Sequence, residues 1–275
     1  MLQTDITTHL SYLLQTAILA AMKAGNAIMT VYNNHSYSVA LKSDNSPLTT
    51  ADKNAHQIIY QLLTSTKIPI LSEEGENIPY NSRKNWDMLW IVDPLDGTKE
   101  FIKHNDEFTV NIALIQDQRP IMGIVFCPPQ RTIYFAAEYL KGAFKAVLSN
   151  NPTANVTEII ANARKLPLFQ SADCFTIVAS RSHLNDETID FISKLDVKNG
   201  ETKLVSKGSS LKFCLVAEGL ADIYPRFAPT CEWDTAAAQA IVEFAGGSVV
   251  DAVTNSPLSY NKQNLLNPSF VVKRK

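Results

Sequence analysis

WIVDPLDGTKEF, residues 90–101, is the stretch whose reading decides the fold. With Met88 and Leu89 it opens as an apolar run, MLWIV, that reads as a strand buried on both faces. Pro94 offers no ladder donor and disfavours helix at the residue before it, so the strand is predicted to end there with Asp93 at its carboxyl end. Asp96 follows on the same turn, and both carboxylates can address one space. Between them Leu95 matters through its carbonyl oxygen. Gly97 and Thr98 offer backbone N–H groups as KEFIKH begins a short helix, a place suited to phosphate oxygens.

Two chemistries compete for such a turn. Phosphatases with a nucleophilic aspartate carry Asp-X-Asp-Gly-Thr, and that frame puts Pro94 in the nucleophile's place. Shifting it makes Asp96 the nucleophile and leaves Thr98 where the acid/base belongs. Neither frame supplies the pair, so the reading leans toward a metal cage. Further oxygen ligands are at hand: Glu73 and Glu74 in LSEEGE, after the apolar IPILS run at 68–72, and Asp234 in EWD, where a helix begins. With no His or Cys at metal spacing, the set favours magnesium or manganese over zinc. Clustered carboxylates repel, and divalent cations relieve the repulsion while clamping a phosphoryl displacement. Each residue also has a plainer reading: Asp93 and Asp96 as turn residues, Glu73 and Glu74 as a solvated loop, Asp234 as a helix cap. Asp52, with Thr49, has the spacing of a capping box.

Around this stretch the chain alternates. Residues 9–32 space their apolar positions along one helical face, and PLTTADKNAHQIIYQLL starts a second helix. TVNIALI at 109–115, IMGIVFC at 121–127, TIYFAAE and GAFKAV read as strands, the first two joined by the QDQRP turn. The Asn-, Pro- and Thr-rich segment 149–170 reads as a connection. Beyond it strands TIVAS, ETKLVS, ADIYPR and SVVDA alternate with helices NDETIDFISKL, SSLKFCLVAEG and WDTAAAQAIVEFAGG, implying a second sheet flanked by helices. The prediction is a mixed α/β (α+β) protein with two subdomains: 1–165, carrying most of the metal ligands, and 166–275, carrying the last ligand and the nucleotide contacts.

Composition narrows the function. The 275 residues are 45% apolar and 19% charged, ordinary for a packed globular chain. With 25 Lys and Arg against 27 Asp and Glu, the net charge of −2 provides no general attraction to nucleic acid or anionic membrane, and no basic patch interleaved with aromatics appears. No Walker or dinucleotide-binding glycine motif occurs. The N-terminus lacks the pattern of a secretory signal, and no apolar run reaches the roughly 18–20 residues of a membrane span. A soluble, unprocessed, cytoplasmic protein is expected, with Cys127, Cys174, Cys214 and Cys231 reduced and structural.

Taken in order, LSEEG, WIVDPLDGTKEF and EWDTAAAQAIVEFAGG resemble the signature set of the inositol monophosphatase superfamily of magnesium-dependent, lithium-sensitive phosphatases, and the resemblance runs from TTAD through AGG. DGTKEF, VASRSH and GSSLKFCLVAEGLADIYPR resemble its CysQ-type 3′(2′),5′-bisphosphate nucleotidases, which take the 3′-phosphate from adenosine 3′,5′-bisphosphate to leave AMP. The resemblance implies a layered αβαβα sugar-phosphatase-like sandwich. It implies that Glu73, Asp93 and the Leu95 carbonyl bind one Mg2+, that Asp93, Asp96 and Asp234 bind a second, and that Asp52 holds a third through water, with Mn2+ a possible substitute. Glu73 and Thr98, the latter paired to Asp52, would position an attacking metal-activated water, while Gly97 and Thr98 hold the scissile phosphate. Ser209, Ser210 and Lys212 would receive the nucleoside or its 5′-phosphate, bordered by Arg181 and His183. A small nucleotide bisphosphate is thus the expected partner, with no nucleic acid or protein partner implied. Some bacterial relatives lie peripherally at the inner membrane. The competing expectations are an inositol or sugar monophosphatase with the same metal chemistry, and a non-catalytic magnesium-dependent nucleotide sensor.

Overall fold

The structure, a computed structural model, describes residues 2–34, 39–41, 47–149, 155–169, 174–180, 185–195 and 202–275. Its largest element is a seven-stranded sheet, ordered Ile70–Ser72, Met88–Asp96, Thr109–Gln116, Arg119–Cys127, Thr132–Ala137, Gly142–Val147 and Arg164–Lys165. The first pair is parallel and the rest antiparallel. The QDQRP hairpin closes on Asp117 and Gln118, both at positive φ as a tight two-residue turn requires.

Both faces of this sheet are covered, which explains the unbroken apolar runs of its strands. On one face, helix Leu2–Asn34 packs with helix Thr50–Thr64, burying Leu14, Ile18 and Leu63 against Trp90, Ile112 and Phe135. On the other, Leu89, Ile91 and Ala113 meet helix Glu232–Phe244 through Ala236, Ala237 and Ile241. The alanines of DTAAAQA are what permit the approach: a Cβ on Gly123 of the sheet would lie 2.1 Å from the Ala237 carbonyl oxygen. Helix Leu211–Glu218 completes this middle layer.

A five-stranded sheet follows, ordered Thr202–Lys207, Phe175–Ser180, Ile223–Arg226, Phe270–Lys273 and Ser248–Asp251. Phe213 of the middle layer packs on its Tyr224 and Phe270. Helix Asp186–Ser193 lies on its outer face, where Phe191 and Ile192 pack on Ile177, Ile223 and Val271. The layers run α, β, α, β, α, as expected. One apolar cluster joins residues from both sides of position 165, because the helix bearing Asp234 lies on the first sheet.

Three local expectations differ from the structure. Strand Met88–Asp96 continues through Pro94, with the ladder resuming at Asp96 opposite Thr109 after an irregularity that follows the Asp93–Asn111 pair. Pro94 therefore makes a bulge rather than an end. Within the segment read as a connection, Asn155 caps a helix, Val156–Asn162, by accepting from the Thr157 N–H, and Arg164–Lys165 adds the last strand to the large sheet. Strand Phe270–Lys273 was not anticipated; it pairs on both sides within the small sheet.

All four cysteines are free. Burial pushes the Cys127 thiol up to about 12 and the Cys214 thiol well above its ordinary value, so both are inert packing groups. Among the described residues no helix is long and apolar enough to cross a membrane.

Candidate active site

The bulge at Pro94 turns the end of strand Met88–Asp96 into a carboxylate-bearing loop. Asp93 is buried, and its Oδ1 accepts from the Leu95 N–H at 3.0 Å. Gly97 sits at φ 93°, a left-handed conformation that suits glycine, and a Cβ there would lie 3.2 Å from the Glu107 carbonyl oxygen. Helix Thr98–Ile102 starts directly after it. Thr98 Oγ1 donates to Asp52 Oδ1 at 3.2 Å and lies 3.3 Å from the Leu95 carbonyl oxygen. Asp52 also forms the capping box expected for its helix, its Oδ2 accepting from Thr49 N at 2.7 Å and Thr49 Oγ1 at 2.5 Å. Capping and contact with the loop are served by different oxygens of one carboxylate.

Asp234 arrives from the start of helix Glu232–Phe244, where its Oδ2 caps the Cys231 N–H at 2.7 Å. Ligand oxygens of Asp93, Asp96 and Asp234 all fall within 4.8 Å of one another. Glu73 follows strand Ile70–Ser72, held by its N–H to the Val92 carbonyl at 3.1 Å, and its carboxyl bonds Asp93. Desolvation first, then Glu73, Asp96 and Asp234, raise the Asp93 carboxyl well above the usual range. Desolvation, Asp96 and Glu73 push Asp234 up to about 8, against the opposing pull of the Cys231 N–H and Arg226. Carboxylates forced together at this cost, with only oxygen donors around them, fit a divalent cation of the magnesium class. Asp93, Asp96 and Asp234 are the groups brought close enough together to hold it, with the Glu73 carboxyl bonded to Asp93 beside them.

A cavity of about 400 Å³ opens beside this cluster. Its lining includes Glu73, Asp96, Gly97, Thr98 and Asp234 together with Lys212, Tyr224 and Arg226. Lys212 is only 6% exposed; its Nζ donates to the Ser209 carbonyl at 2.6 Å and lies 5.4 Å from the Tyr224 ring centroid. Burial brings its pKa down to about 8, Asp96 opposing and Arg226 assisting the fall. Ser209 and Ser210 line the cavity too, but their hydroxyls turn to Asp96. Glu74 does not line the cavity. Arg181 and His183 lie outside the described residues; Ser180, just before them, lines the cavity.

Arg226 escaped the sequence reading. It ends strand Ile223–Arg226, is 8% exposed, and donates to the Ala228 and Pro229 carbonyls at 3.1 and 3.3 Å. The available signal was a lone cation at the end of the strand segment IYPR. Trp233 and Lys99, also in the cavity wall, sat inside quoted motifs without a role.

Comparison with known proteins agrees with this geometry. The model of the inositol monophosphatase family matches residues 9–274. The chain is 43% identical over 264 residues to the 3′(2′),5′-bisphosphate nucleotidase CysQ of Salmonella typhimurium, covering 94% of this chain and 99% of that protein. The crystal structure of CysQ from Bacteroides thetaiotaomicron superposes with a TM-score of 0.84 at 50% identity, over 94% of this chain and 96% of that one. The extragenic suppressor protein suhB of Bartonella henselae shares the fold at 24% identity, with a TM-score of 0.74 over 96% of this chain and 94% of that one. With its carboxylate cluster at the bulged strand end and a match along nearly its whole length, the chain belongs to the inositol monophosphatase family.

Proposed function

We propose that this phosphatase removes the 3′-phosphate of adenosine 3′,5′-bisphosphate, in the presence of magnesium, to give AMP and inorganic phosphate. The observation that carries the reading is the meeting of opposites in one cavity: crowded carboxylates and two nearly buried cations, Lys212 and Arg226, line it together. A monoester with a single phosphate needs only the carboxylate cluster. A nucleotide with two phosphates uses cluster and cations both, the scissile group at the carboxylates and the second at Lys212 and Arg226. The similarity to CysQ-type nucleotidases supports the same substrate class.

Divalent cations held by Glu73, Asp93, the Leu95 carbonyl, Asp96 and Asp234 supply Lewis acidity toward the phosphoryl oxygens and toward water. The chain's own groups do the rest. Thr98 Oγ1 gives its proton to Asp52 Oδ1, which leaves its lone pairs to accept from an incoming water. Glu73, bonded to Asp93 within the cluster, accepts from the same water. The backbone N–H groups of Gly97 and Thr98 hold the phosphoryl oxygens in line. Asp52 is fixed by its capping role, so Thr98 keeps one orientation before substrate arrives.

The test is phosphate release from adenosine 3′,5′-bisphosphate and from inositol 1-phosphate, compared by kcat/KM under one magnesium concentration. Preference for the nucleotide is the expected result. Preference for the inositol ester would transfer the reaction to a monophosphatase, and binding of nucleotide without release from either would make the chain a sensor.

A further inference from the structure

One oxygen of Asp96 is unusually crowded. Asp96 Oδ2 accepts from Ser209 Oγ at 2.6 Å, the Ser210 N–H at 2.8 Å, Ser210 Oγ at 3.1 Å and Asn111 Nδ2 at 3.4 Å. A carboxylate oxygen has about two lone-pair sites, so these donors occupy it fully and leave Oδ1 as the atom that can meet a cation. Behind them stands a second tier. Asn111 Nδ2 also donates to Ser210 Oγ at 2.9 Å, and Thr109 Oγ1 lies 2.9 Å from Asn111 Oδ1 and 2.6 Å from Ser209 Oγ. With the Ser209 proton directed to Asp96, the Thr109 proton is the one shared with Ser209 and Asn111. Ser209, Ser210 and Asn111 thus donate to Asp96 directly, and Thr109 reaches it only through Ser209 and Asn111.

The ring joins two sheets. Thr109 and Asn111 belong to the strand paired with the bulged one, whereas Ser209 and Ser210 follow strand Thr202–Lys207 of the smaller sheet. The serine loop is held in place at a conformational cost, with Ser209 at φ 53°. Its neighbours fix it: the Gly208 N–H donates to Glu107 Oε2 at 2.8 Å, Lys207 pairs with Glu107 Oε1 at 3.1 Å, and Lys212 takes the Ser209 carbonyl. Thr109 and Asn111 are 0% and 1% exposed, so neither reaches a substrate in the cavity.

We propose that Thr109 and Asn111 are positioning residues for the metal site: through Ser209 and Ser210 they pin Asp96 Oδ2 and so aim Oδ1 at the cation. The inference rests on the metal reading of the carboxylate cluster. It gives Ser209 and Ser210 their work at Asp96, in place of a contact with the nucleotide.

Manganese titration of the full chain without substrate, followed by electron paramagnetic resonance, tests it. Thr109→Val keeps the shape and removes the hydroxyl, Thr109→Ser restores the hydroxyl, and Asn111→Leu removes the amide. Loss of an outer-tier partner of a metal ligand weakens affinity by about tenfold or more, so Thr109→Val and Asn111→Leu should raise the manganese dissociation constant by at least that factor. Thr109→Ser should stay within about twofold of the wild type, well short of the loss expected for the missing hydroxyl. Unchanged affinity in the Val and Leu variants would overturn the proposal, even if their melting temperatures in chelator fall, because that pattern is a packing role alone. Should Asn111→Leu fail to fold, the Thr109 pair decides the matter. Wild-type protein that binds no manganese would instead remove the metal reading, and this proposal with it.

Discussion

Glu232 and Asp234 leave the same turn of one helix and solve the problem of a desolvated carboxylate in opposite ways. Glu232, with no solvent exposure, is matched from within the chain: Asn261 N at 2.6 Å, Lys262 N at 2.9 Å and Lys262 Nζ at 2.7 Å. Asn261 is itself tied to Arg83, so the match is rigid. Asp234 instead faces Asp93, Asp96 and Glu73, and its carboxyl is pushed up to about 8. The first arrangement is complete as folded. The second asks for charge from outside, and the proposed metal site rests on that contrast.

The sharpest way to break the comparison is Asp93→Asn. It keeps the acceptor for the Leu95 N–H and removes the most deeply buried charge of the cluster. Steady-state kinetics should show a loss on the order of 4 kcal/mol in barrier, roughly a thousandfold in kcat. A variant retaining more than about a tenth of wild-type turnover would place Asp93 with Glu232, as a structural group.

The same crowding sets a pH dependence in the chelated protein. Asp93 and Asp234 have folded pKa values raised above the unfolded value of about 3.9. Folded chains therefore keep protons that unfolded chains release, and the stability from those protonated groups is lost as pH rises from about 4 toward about 8. Melting temperature in chelator should decline across that window, more steeply in the wild type than in Asp93→Asn, and saturating magnesium should flatten the decline. A wild-type curve parallel to that of Asp93→Asn would show that the carboxylates carry no stored repulsion.

Glu232→Gln tests the other half. An amide nitrogen would face a donor in a site without solvent, and Lys262 would lose its counter-charge, a cost of about 3 kcal/mol. The melting temperature should fall equally in chelator and in magnesium, since this match owes nothing to a bound metal ion. A fall confined to one condition would tie Glu232 to the metal site.

How far these roles were readable in the sequence depended on distance along the chain. The Thr49–Asp52 capping box and the Asp93–Asp96 turn are local patterns, and the structure has the box and keeps the two aspartates together. The apolar run MLWIV announced a strand buried on both faces, because each face meets its own helix layer. The ring around Asp96 was not readable: Thr109 and Ser209 are 100 residues apart, and only the docking of two sheets brings them to 2.6 Å. Pro94 was read as a stop because its missing donor is local information, whereas the resumption of pairing at Thr109 belongs to the neighbouring strand. Strand Phe270–Lys273 was missed for a similar reason, since it is a short run stabilised by partners on both sides. Lys212 shows the limit most plainly. Nothing local in GSSLK marks its lysine as buried, and only tertiary packing reveals that the amine lies over Tyr224.

That burial makes Lys212 the subject of the smallest and most selective prediction. A lysine held at about 8 by desolvation, beside Arg226, is a cation kept at cost in the cavity wall. Its amine donates to the Ser209 carbonyl and stands over the Tyr224 ring. If it answers to the second phosphate of a nucleotide, Lys212→Ala should raise KM for adenosine 3′,5′-bisphosphate by about tenfold, or 1.4 kcal/mol, with kcat less affected. The same variant should leave KM for inositol 1-phosphate within about twofold, because the proposal gives a single phosphate to the carboxylate cluster and not to Lys212. Equal effects on both substrates would mean that Lys212 supports the Ser209 loop, and through it Asp96, so its charge would belong with the matched groups such as Lys262 and not with the substrate.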